Sequence, residues 1–298
     1  MDIIYQYGFW LAVISAGCLL AERVRPWRRE QSVIRPQVTQ DVFWLVFNGY
    51  IWGIISLPLF RGINLSLDKT FSLIAGQSVF SFRVLWDLPF AVQVIIALAA
   101  ADLLEWCVHN LLHRNSLLWK FHRLHHSIKD MDWIGNFRFH WGEVIVYKVI
   151  KFLPLAFLGA RWQALVVAAI ISTLVGHLNH SNLKISWGPL RYIFNSPRMH
   201  IWHHDKELRG KAGVNFAVVF SAWDWIFKTA YMPEGQPQEL GFVGEEKFPQ
   251  GLPSRLLLPF LDSSPITIII ADILFILMLL YPIYQLRWEF YRLLLTIF

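Results

Sequence analysis

Apolar residues dominate four stretches of the chain, 3–21, 41–60, 89–112 and 264–282. A helix needs ~20 mostly apolar residues to cross ~30 Å of hydrocarbon, so each stretch predicts a membrane span. A fifth stretch, 144–176, is too long for one crossing and too short for two. Pro154, Gly159 and Arg161 interrupt it, which predicts a helical hairpin that need not cross completely. Lys148 and Lys151, near its start, are expected to snorkel to the interface. Residues 231–263 are rich in Pro, Gly and charge and predict a surface excursion before the last span. The chain therefore divides into N-terminal transmembrane helices and loops (1–88), a central region (89–230), and the excursion with a C-terminal helix (231–298). The expected fold is all-α and polytopic.

Composition sharpens this picture. Hydrophobic residues make up 55% of the chain and charged residues only 16%, against about 25% charged in a soluble domain. One membrane-embedded domain is expected rather than two soluble ones. The 15 Trp, 23 Phe and 9 Tyr suit a membrane–water boundary. The net charge of +6 comes with a cluster at Arg23, Arg25, Arg28, Arg29 and Arg35. No basic patch on a soluble module accompanies it, so no nucleic-acid partner is expected. Positive-inside topology and contact with anionic head groups account for it. Residues 1–8 carry no Lys or Arg, which places the N-terminus outside and the 22–40 loop in the cytoplasm. Counting spans from there puts 114–143 and 177–263 on the cytoplasmic side, so that every histidine falls on or near that face, and both termini outside. Cys18 and Cys107 lack Cys-x-x-Cys partners, so disulfides and thiolate metal sites are not expected. Ser15-Ala16-Gly17-Cys18 resembles a lipoprotein cleavage site but lacks a positive n-region, and a retained helix is expected there.

The histidines change the functional picture. Ten of the 11 fall in four clusters: His109-x-x-x-His113, His122-x-x-His125-His126, His177-x-x-His180 and His200-x-x-His203-His204. On a helix, residues three or four apart share a face. Each cluster can aim two imidazoles at one point, with a third reaching a neighbouring point. Imidazole suits Fe, Zn, Cu or Ni, and eight to ten ligands are too many for one metal and about right for two. A cytoplasmic-face, histidine-rich dinuclear metal site is the expectation.

The residues around these histidines carry a resemblance. Asp102, Trp106, His109, His113 and Arg114, the 122–127 cluster, His180-Ser181-Asn182, Ser196-Pro197-Arg198 before His200, and Trp223-Asp224 form a series similar to the fatty acid hydroxylase/sterol desaturase superfamily over roughly residues 95–230. Ala217 and Lys228 depart from it, standing where glycines belong. The resemblance implies an O2-dependent di-iron oxygenase that hydroxylates or desaturates a C–H bond of a lipid or sterol-like substrate. Electrons would come from a separate reductase, cytochrome b5 or ferredoxin. It implies that two Fe ions are held by His109, His113, His122, His125, His126, His180, His200, His203 and His204, with His177 a weaker ligand and zinc an alternative occupant in purified protein.

Carboxylates inside apolar spans cost ~2.5–3.5 kcal/mol and usually face protein interior. Glu105, one turn before His109, is expected either to orient that imidazole as a catalytic-site residue or to bond another helix. Asp102 is expected to be structural, and Asp205 to back His204. His140 and Glu143, in RFHWGE, are expected to serve structure, substrate entrance or metal ligation. Arg123, Arg138 and Arg198 suggest an anionic or zwitterionic lipid held by its head group. Two other classes compete. A histidine-rich metal-binding or transport protein should place ligands near the midplane. A zinc-dependent membrane hydrolase needs a carboxylate base, and no His-Glu-x-x-His motif occurs.

Overall fold

The computed structural model describes residues 5–52, 57–78, 83–258 and 273. Among them the architecture is helical, with no strand and one isolated bridge pairing Asp205 with Leu240. The chain forms two compact units, 1–245 and 246–298. In the second, a short helix, Leu252–Leu257, buries Arg255, which donates to the Pro249 carbonyl.

The first unit is built from α1 (Tyr7–Val24), α2 (Val38–Val46), α3 (Leu57–Ala75), α4 (Phe90–Arg114), α5 (Ser116–His126), α6 (Trp141–Phe157), α7 (Trp162–His180), α8 (Pro197–His200) and α9 (Ala222–Ile226). α4 packs between α6 and α7, and α1 packs on α7. Ala97, Ala101 and Ala168, all buried, let α4 and α7 approach closely, with Leu155 of α6 filling the seam. At the other seam Ile14 and Cys18 of α1 meet Trp133 and Ile134. Gly176 has a similar purpose: a Cβ there would come within 2.7 Å of Asn136 Oδ1, so only glycine lets α7 lie against the 133–137 turn.

Three described helices, α1, α4 and α7, are long and apolar enough to cross a membrane. The expected hairpin is present as α6 and α7. The stretch at 41–60 is a correction: it is not one uninterrupted α-helix. α2 passes into a π-helical turn, Phe47–Ile51, and α3 carries on to Ala75 through the charged Arg61, Asp68 and Lys69. The wider turn carries Asn48 inward, where its amide donates to the carbonyls of Phe137 (2.9 Å) and Phe139 (2.8 Å). The expected span at 264–282 lies outside the described residues.

The arginine-rich loop does more than set topology. Buried Arg35 donates to Asp132 (2.5 and 2.8 Å) and Asp41 (2.6 Å), and buried Arg138 clasps Asp41 from the other side (2.5 and 2.7 Å). A carboxylate between two guanidiniums is fully compensated, so this network fastens the 35–41 segment to the loop after α5. Arg138 is therefore no head-group ligand. Its donors are spent on Asp41, Gln37 and Ser127.

Candidate metal centre

α4 ends at Arg114, and Asn115 caps α5 by accepting from the amides of Leu117 (3.0 Å) and Leu118 (3.1 Å). This tight corner turns α5 back so that His122 and His126 meet His109 and His113. On the far side, α8 and the turn after it bring His200, His203 and His204 in, and the last turn of α7 supplies His180. The result is two groups of converging nitrogens, each group within 4.8 Å: His109, His113, His122, His126 and His203 in one, and His125, His180, His200 and His204 in the other. The groups adjoin, with the His126 and His204 rings 4.7 Å apart.

Spacing explains the sorting. In both H-x-x-H-H motifs the first and fifth residues, His122 with His126 and His200 with His204, enter one group. The fourth, His125 or His203, crosses to the other.

The hydrogen bonds show what these nitrogens are for. His109 Nδ1 donates to the Phe216 carbonyl at 2.7 Å, and His122 Nδ1 to Glu143 Oε1 at 2.7 Å. In a neutral imidazole the other nitrogen then carries a lone pair. Yet the two Nε2 atoms face each other at 3.0 Å. His180, whose Nδ1 donates to the Gly176 carbonyl at 2.8 Å, faces His125 Nε2 at 3.2 Å. Lone pairs that close repel unless they share a cation. His203 Nε2 and both nitrogens of His204 are buried with no hydrogen-bond partner among the described residues. Burial, and then crowding by neighbouring imidazoles, holds His122, His125, His126, His200, His203 and His204 well below the ordinary histidine pKa of 6.5. Pooled, neutral, buried imidazoles fit transition-metal ions.

One feature was invisible from spacing. The carbonyls of Val214 and Phe216 accept in turn from His203 and His109. This run passes so close that a Cβ on Gly213 (φ 108°) would lie 3.2 Å from His113 Nδ1. Its outer amides are held by two carboxylates. Asp224 accepts from the amides of Phe216 and Ala217, the Trp106 indole and the Thr229 hydroxyl. Asp102 accepts from those of Val218, Val219 and Phe220. Trp223-Asp224 was the available signal, but its partners are set by tertiary packing.

Four residues expected at the site stand elsewhere. His177 is turned away although it lies only three residues before His180: Ser15 of α1 engages its Nε2 (3.2 Å) and Asn136 its Nδ1 (2.9 Å). Glu105 does not reach His109. It pairs with Lys151, a nearer and oppositely charged partner. His140 is the N-cap of α6, accepting from the Gly142 amide (3.1 Å), and belongs to neither group. Asp205 accepts from Arg209 and the Glu207 amide rather than backing His204.

A cavity of about 610 Å³ opens from His109, His125, His180 and His200 into the space between α4, α6 and α7, where Phe152, Leu165, Val166 and Ala169 line it.

Helices of membrane-crossing length and two adjoining all-imidazole groups beside an apolar cavity define a class, helical membrane proteins with a histidine-built metal centre. Residues 94–229 match the Fatty acid hydroxylase family, and this region carries the chain's similarity to the fatty acid hydroxylase/sterol desaturase superfamily. Ornithine lipid hydroxylase OlsE of Rhizobium tropici is 32% identical over 173 residues, 58% of this chain and 51% of that protein. Methylsterol monooxygenase 1-1 of Arabidopsis thaliana is 27% identical over 145 residues, 46% of each chain. Alkylglycerol monooxygenase of Homo sapiens is 24% identical over 169 residues, 55% of this chain and 36% of that one. The chain thus spans about half the length of these curated relatives, or less. No solved structure matches.

Proposed function

We propose that this protein is a membrane-bound oxidoreductase that uses O2 and two iron ions to hydroxylate, or desaturate, a C–H bond of a lipid. The observation that carries the proposal is the pair of buried imidazole groups beside an apolar cavity that four of their histidines line. The relatives' printed names support the lipid class: an ornithine lipid, a methylsterol and an alkylglycerol share long apolar parts. Five histidines would hold one ion and four the other. Bound iron would supply the oxidant that an unactivated C–H bond requires, drawing on O2 and on electrons from an external reductase, cytochrome b5 or ferredoxin.

The chain's own residues do the rest. The carbonyls of Val214, Phe216 and Gly176, with Glu143, take the Nδ1 protons of His203, His109, His180 and His122 and fix the tautomer and direction of those rings. Phe139 stacks on His125 (4.4 Å between centroids) and walls the cavity. The apolar helices exclude water and hold a chain against the histidines. No carboxylate belongs to either group among the described residues, which weighs against a zinc hydrolase. The histidines cluster toward helix ends rather than in mid-helix, which weighs against a transporter, and the arginine-rich 22–40 loop supports a cytoplasmic site.

The test is the purified full chain in detergent, supplied with NAD(P)H, a reductase and a lipid extract. Bound iron, lipid-dependent O2 uptake and a product heavier by one oxygen atom are expected. Zinc with no O2 uptake in an iron-replete preparation would overturn the reading.

A further inference from the structure

The cavity holds a charge that nothing answers. Its charged lining residues are Glu105, Lys148 and Lys151. Glu105 and Lys151 neutralise one another. Lys148 lies one turn before Lys151 on the same face of α6, half-buried, and makes no ion pair or hydrogen bond among the described residues. The remaining lining residues offer it no carboxylate. Lys148 is therefore a cation without a charged partner among the described residues, in apolar surroundings, where an ammonium seeks an anion.

Of the three arginines that sequence pointed to, Arg123, Arg138 and Arg198, none lines the cavity, and Arg138 and Arg198 are engaged on Asp41 and on Glu234 (2.8 Å). Position also favours Lys148. It follows Glu143, which touches His122, by five residues of helix, about 7.5 Å along the axis. One molecule can therefore engage Lys148 and reach the histidines.

We propose that Lys148 is the substrate's anion-binding residue, so that the cavity takes a lipid with a carboxylate or phosphate on the Lys148 ammonium and its alkyl part against the histidine groups. This rests on the lipid-oxidising reading, but its test does not require turnover. A lysine offers a compact point charge, so either anion serves.

The test measures binding of palmitate, hexadecyl phosphate, methyl palmitate and hexadecylammonium to the metal-loaded full chain in nanodiscs of neutral lipid. The unmodified protein is expected to bind both anions at least about tenfold more tightly than the methyl ester, a difference of about 1.4 kcal/mol. Lys148→Met should bring that ratio close to one while methyl palmitate binds as before. Lys148→Arg should retain the preference, and Lys148→Glu should shift it to hexadecylammonium. The charge-reversal arm reads a gained preference, which misfolding cannot produce. Equal binding of acid and ester by the unmodified protein, or an intact preference in Lys148→Met, overturns the proposal. If binding follows Lys148 yet no lipid is oxidised, the anion site stands and the oxygenase reading falls.

Discussion

At the residue scale, the two nitrogens of His109, His122, His180 and His203 have separate duties. One donates to a carbonyl or carboxylate and the other faces the group's centre. His177 shows the contrast, since Ser15 and Asn136 occupy both of its nitrogens. Replacing His126 or His203 with Ala is expected to abolish activity and strip metal, as read by elemental analysis on inserted protein. His177→Ala should keep its metal and lose only packing. Metal loss from His177→Ala equal to that from His203→Ala would contradict the sorting. Glu143→Ala should weaken metal binding by about 10–100-fold, because His122 loses the acceptor that fixes its tautomer, and Glu143→Gln should be milder, since an amide oxygen still accepts. Lys228 illustrates a departure with a physical reading. It stands where the superfamily pattern has glycine and adopts φ 59°, a left-handed conformation that costs a side-chain-bearing residue ~1–2 kcal/mol. Lys228→Gly is expected to raise the melting temperature, and a lowered one would show that the lysine side chain stabilises the turn by other means.

At the element scale, the 212–220 run serves the centre with main-chain atoms alone. Two of its carbonyls, those of Val214 and Phe216, orient ligands from the turn after α8 and from α4, while Asp224 and Asp102 hold its amides. A carboxylate in α4 looked costly from sequence, but three amide donors compensate Asp102. Asp224→Ala would leave several buried donors unmatched at about 1–3 kcal/mol each. Lower thermal stability, faster hydrogen exchange at 216–219 and partial metal loss are expected together. Retained protection with lost metal would place Asp224's effect somewhere other than this run. The α4–α5 corner was legible in outline, since His113 and His122 had to converge, but its Asn115 cap identifies itself only once the helices are seen to turn there.

At the scale of the whole molecule, burial of uncharged imidazoles ties stability to pH. Six histidines outside the candidate spans titrate well below 6.5 when folded, and near 6.5 when unfolded. As pH falls through 6.5 the unfolded chain takes up protons that the folded chain refuses. Stability is therefore fully present above that pH and declines below it, until the folded groups protonate too. Protons also compete with metal for the same nitrogens. Melting temperature and metal retention should be level from pH 7 to 8 and fall from pH 6.5 to 5, measured in one detergent. A rise on acidification would oppose this account. Reporter fusions after residues 30, 130 and 240 test the proposed orientation, and all three should report cytoplasm.

What the sequence determined on its own was local and periodic. Long apolar stretches fixed three of the helices, because a span is a property of consecutive residues. H-x-x-H-H and H-x-x-x-H fixed which imidazoles share a face, because helical geometry repeats every 3.6 residues. The tertiary structure decided everything that joins distant residues. It assigned His125 and His203 across the two groups, excluded His177, and gave Glu105 to Lys151 instead of His109. It also spent Arg138 on Asp41, so the cavity's unanswered charge falls to Lys148. Hydrogen-bond partners and net cavity charge depend on which helices meet, and no spacing within one helix carries that information.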